Sequence, residues 1–114
     1  MDWQRLYKIL TENGWAAFAP GQHTGFCTEP YIVLRLAGSQ NIDGISSYFD
    51  LYELLLYVPY GQYSTVEALQ KALKALLHRF KPTVDIYDDF DYTYNDDEVK
   101  GYQSGITYRV IKKG

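Results

Sequence analysis

Apolar positions recur at helical spacing in two stretches of this chain and at strand spacing in four others. Over residues 2–13, Trp3, Leu6, Tyr7 and Leu10 follow steps of three, one and three, which place them on one helical face. Gly14 is positioned to stop that helix. Trp15-Ala16-Ala17-Phe18-Ala19 reads as a brief strand, followed by a loop holding Pro20, Gly21 and Gly25. Pro30 opens the β-branched run Tyr31-Ile32-Val33-Leu34-Arg35-Leu36-Ala37, a strand that Gly38 should end. Gly38-Ser39-Gln40-Asn41 and Asp43-Gly44 predict a turn-rich connection.

Residues 47–58 predict a long strand with apolar side chains in both registers. Tyr52, Leu54, Leu56 and Val58 occupy one, and Phe49, Leu51, Leu55 and Tyr57 the other. A strand apolar on both faces must be covered on both, by its own domain or by a neighbour. Pro59, Tyr60 and Gly61 end it. The second helix is predicted over 65–80, where Val66, Leu69, Leu73, Leu76, Leu77 and Phe80 form one stripe and Pro82 prevents continuation. Ser64-Thr65-Val66-Glu67 has the form of a capping box at its start. Val84, Ile86, Phe90, Tyr92 and Tyr94 alternate along a predicted strand at 84–94, with Asp88 out of pattern and Asn95-Asp96-Asp97 as the bend. Tyr102, Ile106, Tyr108 and Val110 share a face of a final strand at 101–112. The expected architecture is a single α+β domain over 1–114. It would be a mostly antiparallel four-stranded sheet with two helices packed against it, in the order α-β-β-α-β-β.

The 114 residues suffice for one core and leave no room for a second. With 46% hydrophobic and 22% charged residues the chain should fold. A net charge of -3 and a pI near 5.2 weigh against a protein devoted to gripping phosphates. The run Leu54-Leu55-Leu56-Tyr57-Val58 is far short of the roughly 20 apolar residues that span a bilayer. The first eight residues lack the continuous apolar stretch of a signal peptide. A single cysteine, Cys27, rules out an internal disulfide and fits a reducing cytoplasm. Twelve tyrosines make up most of the 17% aromatic content. Tyrosine favours strands, and it also favours interfaces, where a rigid ring with a polar tip adds contact area at small entropic loss.

No arrangement of these residues spells an enzyme. Seven of the 14 acidic groups fall within 85–98: Asp85, Asp88, Asp89, Asp91, Asp96, Asp97 and Glu98. A calcium loop starting at Asp89 would need glycine sixth and glutamate twelfth, where this chain has Tyr94 and Lys100. The segment reads instead as a solvated hairpin that discourages edge pairing, or as a surface for a basic partner. Lys71, Lys74, His78 and Lys81 share one side of the second helix. They suit an ordinary solvated face, and could also meet the acidic hairpin of a neighbouring copy. His23 and Cys27 share a loop, yet a metal needs about four ligands and the only other histidine is His78. Neither a phosphate-binding Gly-Lys-Ser/Thr motif nor a dinucleotide glycine pattern is present. No cofactor or metal is implied.

Three stretches together carry a resemblance: Tyr31-Ile32-Val33-Leu34-Arg35-Leu36 after the His23/Gly25 loop, Tyr52 to Pro59 leading into the 64–80 segment, and the terminal run from Gly101 to Lys113. The layout resembles the tail-terminator or tail-completion proteins of bacteriophages and phage-derived contractile particles, a group that includes head–tail joining proteins. The resemblance implies a non-enzymatic subunit that closes into a ring, usually a hexamer. Such a ring caps the tail tube and docks the sheath end or head connector, in the host cytoplasm during assembly and then in the particle. Other neck, connector or tube subunits, and a small cytoplasmic adaptor, are the alternative readings. The 47–58 and 101–112 strands with their loops are expected to supply subunit contacts. Tyr52, Tyr57, Tyr60, Tyr63, Tyr102 and Tyr108 are the aromatic candidates, and Asp96, Asp97 and Glu98 the charged ones.

Overall fold

The computed structural model describes residues 1–41 and 47–113, and the predicted Asp43-Gly44 turn lies outside them. Helix α1 spans Trp3–Glu12, with the Asp2 carboxylate accepting from the Arg5 backbone N–H as N-cap. Leu6, Ile9 and Leu10 form its buried stripe. Gly14, at φ +86°, turns the chain out of the helix in a conformation that glycine adopts without strain. Strands follow at Ala17–Phe18 (β1), Tyr31–Asn41 (β2) and Ser47–Pro59 (β3). A short 3₁₀ turn at Tyr63–Thr65 leads into α2, Val66–His78. Strands β4 (Val84–Asp88), β5 (Tyr94–Asp96) and β6 (Gly101–Lys113) complete the chain.

The fold is α+β, a single domain with two helices and a six-stranded mixed sheet, not the four-stranded sheet expected. Strands run in the order β1-β2-β3-β6-β4, and β5 pairs with the free stretch of β6 on the β4 side. All pairings are antiparallel except β1 with β2. The segment expected to be one strand at 84–94 divides into β4 and β5. A register shift between Ile86 and Asp88 interrupts β4, and Tyr92 and Tyr94 are exposed instead of sharing the face of Val84. The turn falls at 97–100, beginning two residues later than the expected bend, and Lys100 adopts φ +57° there.

Strand β2 is longer than expected because a β-bulge between Leu36 and Gly38 absorbs the glycine. The bulge inserts one residue, so Ser39 comes to face Asp50 across the pair. Its hydroxyl donates to the buried Asp50 carboxylate at 2.6 Å.

Both helices lie on one side of the sheet. Leu6, Leu10, Leu73 and Leu77 meet Ile32, Leu34, Leu54, Leu56, Ile106 and Val110 in one core. The predicted stripe of α2 holds, with Val66, Leu73, Leu76 and Leu77 buried and Leu69 and Phe80 partly so. The capping box does not form. Thr65 is already helical, and its hydroxyl donates back to the Gln62 carbonyl at 2.8 Å. The 3₁₀ turn supplies the lead-in that the box would have made.

Candidate subunit interface

With both helices on one side, the alternate residues of β2, β3 and β6 form a second face that no helix covers. Pairing across the sheet places Val33 opposite Leu55, Arg35 opposite Glu53, and Tyr31 opposite Tyr57. On β3, Phe49, Leu51, Leu55 and Tyr57 stand on this face, each half-buried. Gly105 is its partner to Leu55, and a Cβ there would sit 3.1 Å from Leu55 Cδ2. The glycine thus lets leucine lie flat across β6. Arg35 and Glu53 form an ion pair in the middle of the face. Beyond it Phe49 and Tyr87 approach to 6.2 Å between ring centres.

The lower part of this face is an aromatic ladder. His23 stacks on Tyr31 at 3.8 Å and Tyr31 on Tyr57 at 4.7 Å, while Phe18 meets both His23 and Tyr31 edge-on. Gln103 donates its amide to the Tyr57 hydroxyl at 3.1 Å. Burial raises the phenol pKa of both tyrosines, and the carboxylate of Asp96 adds to it. The loop between β1 and β2 shields Tyr31, which is 4% exposed. His23 is therefore a packing residue. Cys27 is buried too, and burial pushes its thiol up to about 11, the reverse of what a nucleophile needs.

The predicted contact residues divide among three places. Tyr52 and Tyr108 are core side chains, each 2% exposed, so the expectation that they touch a neighbour does not hold for them. Their even register on β3 and β6 points them under the helices, and aromatic content alone could not separate that side from the other. Tyr57 stands on the uncovered face. Tyr60, Tyr63 and Tyr102 cluster at the sheet end where β6 begins, with Tyr102 5.1 Å from each of the other two rings. Asp96, Asp97 and Glu98 make the neighbouring β5–β6 turn. The Tyr60 hydroxyl donates to Asp97, which raises its pKa to about 12.

Several exposed hydrophobic residues escaped the sequence reading. Phe26, Leu36, Tyr87, Tyr92 and Tyr94 are all largely open to solvent. Leu36 lies beside the bulge, on the stretch of β2 that β1 does not reach. Trp3 guards the start of that stretch, its indole N–H donating to the Leu34 carbonyl at 2.7 Å.

The basic stripe is largely neutralised inside the chain. Lys71 pairs with Glu67, Lys74 with Asp89 and Lys81 with Asp85. The acidic segment, which could have met such a stripe on another copy, meets it at Asp85 and Asp89 within the same copy. Among the described residues no group of three or more His, Cys, Asp or Glu side chains converges to hold a metal. No helix among them is long and apolar enough to cross a membrane. In comparisons with protein-family models and with curated proteins, the chain matches none.

Proposed function

We propose that this chain is a structural subunit that closes with copies of itself into a ring. In that role it acts as a terminator at the end of a phage-type tail tube and offers a docking surface to the sheath end or head connector. One observation carries the self-assembly part: a sheet with helices on one face only presents Val33, Phe49, Leu51, Leu55 and Tyr57, half-buried, on the other. Apolar side chains grouped on one face gain most when a partner excludes the remaining water. Beyond Leu34 no strand among the described residues pairs with the outer edge of β2, an edge that a neighbour can join. The resemblance of the sequence to tail-terminator proteins supplies the particular role.

Electron microscopy of the purified protein mixed with preformed tail tubes tests this. Closed rings seated on tube ends, with growth arrested, are the expected result. Continuous stacking into filaments would indicate a tube subunit instead. A stable monomer that ignores the tubes would favour a small adaptor.

A further inference from the structure

The two ends of this elongated molecule, 49 Å in its long dimension, carry opposite charge. Strand β6 runs from one to the other, its 13 residues covering about 40 Å at ~3.3 Å per residue. At its start lies the β5–β6 turn, where Asp96, at the end of β5, Asp97 and Glu98 follow one another and none has an ion-pair partner among the described residues. Glu29 adds to them, because the Cys27 N–H bonds the Val99 carbonyl at 2.6 Å and fixes that loop beside the turn. Neither Glu98 nor Glu29 has an ion-pair partner among the described residues.

At the far end the Ile111 N–H bonds the Thr83 carbonyl, and Thr83 and Phe80 join Asp2 and Arg5 around a hollow of about 640 Å³. The Arg79 guanidinium stands 6.0 Å from the Phe80 ring centre. Arg5 and Arg79 have no carboxylate partner among the described residues, and the Asp2 carboxylate is taken by the Arg5 backbone N–H. Nearby, Lys81 and Arg109 share the single carboxylate of Asp85.

Charges tens of ångströms apart cannot neutralise each other through water in which screening acts over about 8 Å. Neither end is neutralised by the other, and the complement of each is the other end of a second copy. We propose that the acidic β5–β6 turn of one copy seats in the Arg5–Phe80 hollow of the next, joining copies end to end. The turn is already held in shape. Glu98 donates its backbone N–H to Asp96, Tyr60 its hydroxyl to Asp97, and the Tyr60 N–H meets the Lys100 carbonyl. Little ordering is left to lose on docking. Gln103, which bonds the Tyr57 hydroxyl, pairs with Tyr94 of β5, so the aromatic part of the uncovered face lies beside the strand that leads into the turn. A contact between two different surfaces is heterologous and closes into a ring when the rotation allows. This rests on reading the chain as a self-assembling subunit, and it names the surfaces that join.

The test uses two double variants of the full chain, Asp97→Lys/Glu98→Lys and Arg5→Glu/Arg79→Glu, in analytical ultracentrifugation over a salt series. The wild-type chain should associate at low salt and weaken at least tenfold as salt is raised. Each double variant alone should remain monomeric. Their equimolar mixture should recover association, because one carries two basic ends and the other two acidic ends, and this recovery shows that both variants fold. Salt-independent wild-type association, variants that associate normally, or a mixture that stays monomeric would each overturn the contact. Adding tail tubes separates this contact from the tail role. Chains that join end to end yet leave tubes uncapped keep the contact and lose the role, whereas double variants that still cap tubes keep the role and lose the contact.

Discussion

Leu54 and Leu55 are adjacent on β3, yet only Leu54 is sealed from water, beneath the helices, while Leu55 lies half-exposed across Gly105 on the other face. The pleat alone separates them. Leu54→Ala should lower folding stability by about 2–5 kcal/mol, the range for a buried leucine that leaves a cavity. Leu55→Ala should lose only about 1 kcal/mol of stability, in keeping with partial burial, and should weaken self-association. Urea unfolding and sedimentation measured on the same samples check both. Equal destabilisation by the two, with association unchanged, would make the second face part of the monomer's own core.

Tyr108 offers a test of polar burial. Its hydroxyl is buried without a hydrogen-bond partner among the described residues, and burial raises its pKa above the ordinary phenol value. An unpaired buried hydroxyl opposes folding by roughly 1–3 kcal/mol. Tyr108→Phe keeps the ring and removes that penalty, so its thermal midpoint should equal or exceed that of the wild type. A clear drop would reveal a bond to this oxygen.

Cys27 should resist alkylation in the folded protein. At pH 8 a thiol whose pKa is pushed up to about 11 is almost wholly protonated, and it is 4% exposed. Labelling by iodoacetamide should therefore follow opening of the loop. Gly101→Ala should accelerate it, because a Cβ at 101 would lie 2.9 Å from Cys27 Cβ. Overpacking of this kind lowers stability by about 1–3 kcal/mol. Labelling at the rate of an unstructured peptide would remove Cys27 from the interior.

Lys74 and Asp89 join α2 to the segment after β4 at 2.7 Å, and the ammonium holds the Asp89 carboxyl below its usual pKa. Folding thus lowers this pKa, so the unfolded chain holds the proton more tightly. The stabilisation is complete above the ordinary carboxylate value near 4 and fades as pH falls through the lower folded value. Both groups are more than one-third exposed, so Lys74→Met should cost no more than ~1 kcal/mol at pH 7. It should also flatten the acid limb of the stability curve between about pH 5 and 2. An acid limb that stays as steep would show that the pair does not contribute.

The elements with strong periodicity were legible in the chain. Six apolar side chains at helical steps fixed α2, the run apolar in both registers fixed β3, and alternation fixed β6, because each pattern of burial leaves its own repeat. Residues 84–94 misled, since aromatic side chains continue the alternation past Asp88 although the backbone leaves the sheet there. Strand β1 is two residues long and pairs by position more than by composition. The candidate contacts were readable only in part. Local sequence gives alternation, but which register faces the helices depends on where the helices pack, and that sent Tyr52 and Tyr108 inward while leaving Tyr57 outside.

The extra residue in β2 sets a rule about chain length. Removing Ala37 would close the bulge and restore an unbroken two-residue rhythm, with Leu36 still opposite Tyr52, Gly38 opposite Leu51 and Ser39 opposite Asp50. Losing the surplus residue should therefore leave the Ser39 hydroxyl on the buried Asp50 carboxylate. The irregularity holds a spare residue, one whose removal the pairing on either side absorbs.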